Sequence, residues 1–360
     1  MLKVLLAVGI SLFAQSAFAV VPLVPFVGAP KPKPVPCPAE WKNNSGKAGC
    51  AVEKVIGWHF AATEPKVSDV VDPFTFPGVR LQGPATVRHG YIEANPSVAF
   101  KGNVVYLEGI ADSMLNHTQL FKAVTDAGYR MIAWDLDGQG GSKGKWGSRL
   151  LLDMLNVANA VYKRDMDPRG GLKVLMGWSI GGINGYAAAA GYPGINPDAV
   201  ILNAPSIDPL LFGVGEGFDH LPPGEFTPQV LTTALPPVDC GYGTPFVEPI
   251  MGFTPASSAS FTADILELAF YDRHVTIPGK VKGLVLMTGP KDDTYAKGKK
   301  HEQMDYDTFI DVPNTEKVFR EKAPHFRVVE YPRTKHMVDA ESCAVRNSIA
   351  REVGDFLGSL

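Results

Sequence analysis

The chain has 360 residues, 45% of them hydrophobic and 20% charged, with 34 basic against 37 acidic side chains for a net charge of −3. That composition belongs to a folded chain long enough for one large domain or two average ones. The near-even charge balance, with no basic run interleaved with aromatics, argues against nucleic acid or an anionic membrane as a partner.

Met1-Leu2-Lys3 carries one positive charge, Val4 to Phe13 is almost unbroken apolar sequence, and Ala17-Phe18-Ala19 supplies small residues where a signal peptidase reads. This predicts a secretory signal peptide over 1–19, cleaved after Ala19. The apolar run is too short to cross ~30 Å of hydrocarbon, and no later segment is apolar and long enough to do so. Residues 20–84 read as a Pro-rich spacer followed by a loop-rich lead-in. Export would place Cys37, Cys50, Cys240 and Cys343 in an oxidising compartment, where an even number of cysteines suggests disulfides. Three pairings are possible. Proximity favours Cys37 with Cys50, which leaves Cys240 with Cys343. No Cys-x-x-Cys pair supports a zinc site, and no metal or other cofactor is expected.

From about residue 85 the texture changes. Val87 to Ala94 alternates like a half-buried strand. Continuous apolar runs then recur at Asn103–Leu107, Arg130–Trp134, Leu172–Met176, Ala199–Leu202, Lys282–Met287 and Phe326–Tyr331. Such runs suit strands buried on both faces. Helical spacing appears over Asn116–Ala127, Arg149–Lys163 and Ala340–Leu360. Strand and helix in alternation predict an α/β fold, a mostly parallel sheet covered by helices, over residues 85–360. The interval from Pro209 to about residue 280 is too long for a plain connection. It is rich in Pro, Gly and aromatics such as Phe212, Phe226 and Tyr242, and is expected to be a cap over the carboxyl ends of the strands.

Gly177-Trp178-Ser179-Ile180-Gly181-Gly182 follows one of these strands and precedes a helical stretch, the context that a nucleophile elbow requires. Ser179 is the candidate nucleophile. A serine hydroxyl needs a base, and His336, after the strand Phe326–Tyr331, is the candidate, because in such a strand order the base comes last. His59, His89 and His117 all precede the nucleophile and are set aside. The acid is expected after the strand Lys282–Met287, where Asp292 and Asp293 follow a turn; Asp292 is preferred and Asp293 is the alternative. The N–H groups of Ile180 and Ile110 are the candidate oxyanion donors. Asp135 to Gly140 faintly resembles a calcium loop, but its twelfth position is Trp146 rather than Glu, so the segment is taken as a strand end and turn.

These motifs resemble the lysophospholipase and monoacylglycerol-lipase group of α/β hydrolases, whose sequence-family label is the serine aminopeptidase group. The resemblance runs from about Thr86 to Leu360. It rests on Gly128-Tyr129-Arg130 leading to Asp135 through Ser142, on the Ser179 elbow, on Gly289 with Asp292, and on His336 with Glu341. It implies the α/β-hydrolase fold, an acid at Asp292, a base at His336 and oxyanion donors at Ile110 and Ile180. Members usually carry His where this chain has Glu108 and Trp178, and Arg where it has Asp137. The activity implied is hydrolysis of a small carboxylic ester through an acyl-serine, on acyl-ester, lysophospholipid or monoacylglycerol-like substrates. A peptidase or amidase such as a proline iminopeptidase, with Glu216, Asp219 or Glu225 receiving an amino terminus, is the second expectation. A non-catalytic binding protein on the same scaffold is the third.

Overall fold

The computed structural model describes residues 59–60, 91–94, 98–136, 139, 154–155, 158–159, 162, 169–192, 195–209, 239–242, 265, 268–290 and 305–360. Eight strands in these residues form one sheet: β1 (His59–Phe60), β2 (Tyr91–Ala94), β3 (Gly102–Leu107), β4 (Tyr129–Trp134), β5 (Leu172–Trp178), β6 (Ala199–Asn203), β7 (Lys282–Met287) and β8 (Arg327–Glu330). Their order across the sheet is β1-β2-β4-β3-β5-β6-β7-β8. The six strands from β4 to β8 run parallel, and β1 and β2 are antiparallel additions at one edge. The predicted parallel sheet is therefore present. Residues assigned to the lead-in contribute its outermost strand, β1.

The central strands form because their side chains are apolar on both faces. β3 and β4 are buried along their whole length, and β6 likewise. The α-helices whose bounds lie within the described residues are α1 (Thr118–Asp126), α2 (Ile180–Ala189), α3 (Val312–Lys322) and α4 (Cys343–Ser359). Every residue of α2 is buried, which suits its Gly- and Ala-rich sequence wedged against β5 and β6. α1 sinks Leu120, Phe121 and Val124 into the core and pairs Lys122 with Asp126 in solvent. It packs against α4, where Gln119 donates to Asn347 at 2.7 Å. Asp311 caps α3 by accepting from the Asn314 N–H at 3.0 Å.

Chain order reverses between β3 and β5, since β4 lies on one side of β3 and β5 on the other. At such a switch point the loops leaving adjacent strands diverge and open a crevice at the carboxyl ends. The loop after β3 and the turn after β5 both border it. Of the predicted cap, residues 268–280 are described, and 268–274 of them are helical. The rest of that interval, apart from Pro209, 239–242 and 265, the signal segment and the Cys37–Cys50 pair lie outside the described residues. Cys240 is joined to Cys343 at the start of α4, with Cα atoms 5.5 Å apart. Among the described residues, no helix is long and apolar enough to cross a membrane.

Candidate active site

Ser179 stands on the turn between β5 and α2 with φ 55° and ψ −114°. A non-glycine residue reaches that region only when its surroundings hold it there. Gly177 and Gly181 do the holding by their lack of side chains. A Cβ on Gly177 would lie 2.3 Å from the Gly181 carbonyl oxygen, and one on Gly181 would lie 2.0 Å from that of Leu107. Strand, turn and helix can approach only because both positions are glycine. The turn is then pinned: the Ser179 N–H donates to the Asn203 carbonyl at 3.0 Å, and the Ser179 carbonyl accepts from Gly182 and Ile183.

His336 arrives on the loop between β8 and α4. Its Nε2 lies 2.8 Å from Ser179 Oγ. Its Nδ1 lies 2.8 Å from Asp307 Oδ2. All three side chains are nearly inaccessible to solvent, at 5%, 3% and 0% for Ser179, His336 and Asp307. With the Nδ1 proton directed at Asp307, Nε2 is left to accept from the serine hydroxyl. Lys335 N–H donates to Glu341 at 2.8 Å, and Trp178 Nε1 donates to the His336 carbonyl at 2.9 Å, so the loop is held on both sides of the ring. The rings of Trp178 and Phe309 flank the imidazole, with centroids 5.3 and 5.0 Å away.

The acid differs from the one expected. Asp292 and Asp293 lie outside the described residues, and the carboxylate on His336 belongs to Asp307. The physical reason is the path of the chain. Asp307 lies eighteen residues beyond Gly289 in the chain, yet its N–H donates to the Gly289 carbonyl at 3.0 Å. Asp307 thus occupies in space the place just past the strand that Asp292 occupies in sequence. Its Oδ2 also accepts from the Thr288 hydroxyl at 2.6 Å, and its Oδ1 accepts from Phe309 and Ile310 N–H at 2.8 and 3.2 Å.

The loop after β3 faces the elbow. Gln139 ties it down, donating to the Gly109 carbonyl at 2.9 Å and accepting from the Ala111 N–H at 2.8 Å. Ala111 has φ 56°. Its N–H is spent on Gln139, whereas the N–H groups of Ile110 and Ile180 meet no acceptor among the described residues. Asp135, from the segment that faintly resembles a calcium loop, is tied to the same loop through Ser113 and the Met114 N–H. Glu108 turns out to be a structural residue. It is 1% exposed and accepts from the Leu136 N–H at 2.6 Å. Burial, reinforced by Asp135 and Asp112, raises its pKa well above the usual carboxylate range. Sequence reasoning also missed Ser206, whose hydroxyl lies 3.1 Å from Ser179 Oγ. With the Ser179 proton directed at His336, Ser206 is the donor in that pair.

A six-stranded parallel array with two antiparallel edge strands, a strained serine after the fifth strand and a histidine after the eighth decide the fold. The chain belongs to the α/β-hydrolase fold. Residues 99–217 match the family model described as serine aminopeptidase, S33. The fold is shared with a monoacylglycerol lipase of Paleococcus ferrophilus at 17% identity and a TM-score of 0.54, covering 75% of this chain and 98% of that one. It is shared with a thermostable carboxyl esterase of Bacillus coagulans, solved in complex with glycerol, at 14% identity and TM-score 0.55, covering 84% and 98%. A soluble variant of the Saccharomyces cerevisiae monoglyceride lipase, in complex with a substrate analogue, matches at 14% identity and TM-score 0.51, covering 79% and 94%. No curated protein sequence matches the chain at a significant level.

Proposed function

We propose that the protein is an exported serine hydrolase that cleaves small carboxylic esters through an acyl-serine intermediate, with Ser179 as nucleophile, His336 as base and Asp307 as the acid that orients it. The observation that carries this is the buried relay from Ser179 Oγ to His336 Nε2 and from His336 Nδ1 to Asp307, each step 2.8 Å. As Ser179 attacks the ester carbonyl, its proton passes to Nε2. The carbonyl oxygen becomes an oxyanion, which the N–H groups of Ile110 and Ile180 receive. The imidazolium is stabilised by Asp307 and returns the proton to the departing alcohol. Water, deprotonated by the same Nε2, then attacks the acyl-serine. The carboxylic acid leaves and Ser179 regains its proton.

An acyl-ester substrate, of the lysophospholipid or monoacylglycerol kind, is favoured by the aromatic content of the cap segment and by the lipase and esterase neighbours. Export is favoured by the apolar N-terminal segment ending at Ala19 and by the Cys240–Cys343 bond, which suits an oxidising compartment. The test is fluorophosphonate labelling of the exported protein followed by mass spectrometry. The expected result is one adduct, on Ser179, in a chain that begins at Val20, and no label in Ser179→Ala. Long and short p-nitrophenyl acyl esters should be hydrolysed faster than an aminoacyl anilide. The reverse order would favour the peptidase reading, and full activity in Ser179→Ala would overturn the assignment.

A further inference from the structure

His117 is a second histidine beside the relay, and the mechanism above does not use it. Its side chain is fully buried, and both of its ring nitrogens face carboxylates. Nε2 lies 2.6 Å from Asp112 Oδ2, and Nδ1 contacts Asp339 Oδ2. The two carboxylates come from the two loops that matter most. Asp112 is on the loop after β3, two residues beyond Ile110, and Asp339 is three residues beyond His336. Both carboxylates are held by other donors as well. Asp112 accepts from the Tyr106 hydroxyl at 3.1 Å and from Asn116 at 3.0 Å. Asp339 accepts at 3.1 Å from the side chain of Asn203, whose carbonyl receives the Ser179 N–H. The Trp178 ring lies 6.2 Å from the His117 ring.

We propose that His117 is a positioning residue: a buried imidazolium whose two N–H groups clamp Asp112 to Asp339, and so hold the Ile110 oxyanion donor in register with His336. This rests on the serine-hydrolase reading above.

Between two ionised carboxylates the ring has to be charged. A neutral imidazole has one donor and one acceptor, so one carboxylate would face a lone pair. Burial alone would lower the pKa of His117, but Asp112 and Asp339 outweigh it and push it up to about 10. Burial would raise Asp339, yet His117, Asn203 and Arg346 of α4 hold it below its ordinary value. Among the other ionisable neighbours, Arg346 faces Asp339 and Asp135 faces Glu108. Tyr106 on β3 and Glu108 are both pushed well up, by burial first and by nearby carboxylates second. The bridge therefore stays ionic at neutral pH. Without it, two buried carboxylates confront each other and drive the two loops apart.

The test compares His117→Gln with Asp112→Asn/His117→Gln on a p-nitrophenyl ester, each checked for folding by circular dichroism. For His117→Gln, kcat is expected to fall by about 100-fold, the loss that a ~1 Å misplacement brings. KM should move less than about threefold, because oxyanion contacts strengthen mainly in the transition state. The ratio of wild-type to variant kcat should grow from about pH 5.5 to about pH 8, as the freed carboxylates lose a shared proton. The double variant, with one carboxylate neutralised, should recover about tenfold or more of the loss. A folded His117→Gln protein with unchanged kcat, or a pH-independent loss that the double variant does not relieve, overturns the clamp. Imidazole ¹⁵N spectra of the wild type give a second reading that needs no variant: both His117 nitrogens protonated at pH 8 support it, and a neutral ring overturns it. A wild type that neither hydrolyses esters nor takes the fluorophosphonate label fails the serine-hydrolase reading instead.

Discussion

Asp307 presents two oxygens to four donors: the Thr288 hydroxyl, the His336 ring, and the N–H groups of Phe309 and Ile310. That many fixed partners leave the carboxylate one orientation, and the orientation sets which His336 nitrogen carries the proton. Asp307→Asn keeps the shape but offers His336 an amide, which favours the wrong tautomer. It should lower kcat by roughly 10³- to 10⁴-fold, whereas Asp292→Asn should stay within about threefold of wild type; ester-hydrolysis kinetics on both variants check this. Ser179 and His336 were legible in the sequence because each sits one short turn past an apolar run. Asp307 was not, because the rule that the acid follows its strand is a rule about space, and Asp307 meets Gly289 from eighteen residues further along the chain. His117 was hidden for a related reason. Chain order ruled it out as the base, and nothing in sequence shows that residues 112 and 339 share one ring.

At the scale of elements, the elbow works because β5 and α2 nearly touch. Gly181→Ala would set a methyl 2.0 Å from the Leu107 carbonyl oxygen at the end of β3, a backbone atom that cannot swing away. Overpacking of this kind costs about 3 kcal/mol or more. Chemical denaturation of the variant should show at least that loss, together with weakened labelling of Ser179 as the turn shifts. The inner parallel strands were readable to within a residue or two because they are buried on both faces and so are mostly apolar; β8, with Arg327 and Glu330 exposed, was marked instead by Val328 and Val329 between Phe326 and Tyr331. α3 went unpredicted. Only Val312, Thr315 and Phe319 of it are buried, and so narrow a stripe leaves little periodicity to see. β1 was equally faint, since two residues at a sheet edge carry no pattern.

The whole molecule is fastened by Cys240 and Cys343, which close a loop with a sequence separation of 103. Arg346 on α4 reinforces the junction through its attraction to the Asp239 carboxylate beside Cys240. Chain-entropy arguments give a loop of ~100 residues up to about 4.7 kcal/mol of stabilisation. A Cys240→Ser/Cys343→Ser variant should therefore lose about 2–5 kcal/mol of unfolding free energy, measured by urea titration. Non-reducing peptide mapping of the wild type should recover the two cysteines in one linked peptide.

The same ring encloses β7, Asp307, α3, β8 and His336, while Ser179 lies outside it on the stretch that runs continuously into Cys240. A protease that nicked the chain once anywhere between the two cysteines would leave two fragments still covalently joined, with Asp307 and His336 on chain still tied to the fragment that holds Ser179. Release of either fragment would require a reductant as well as a cut.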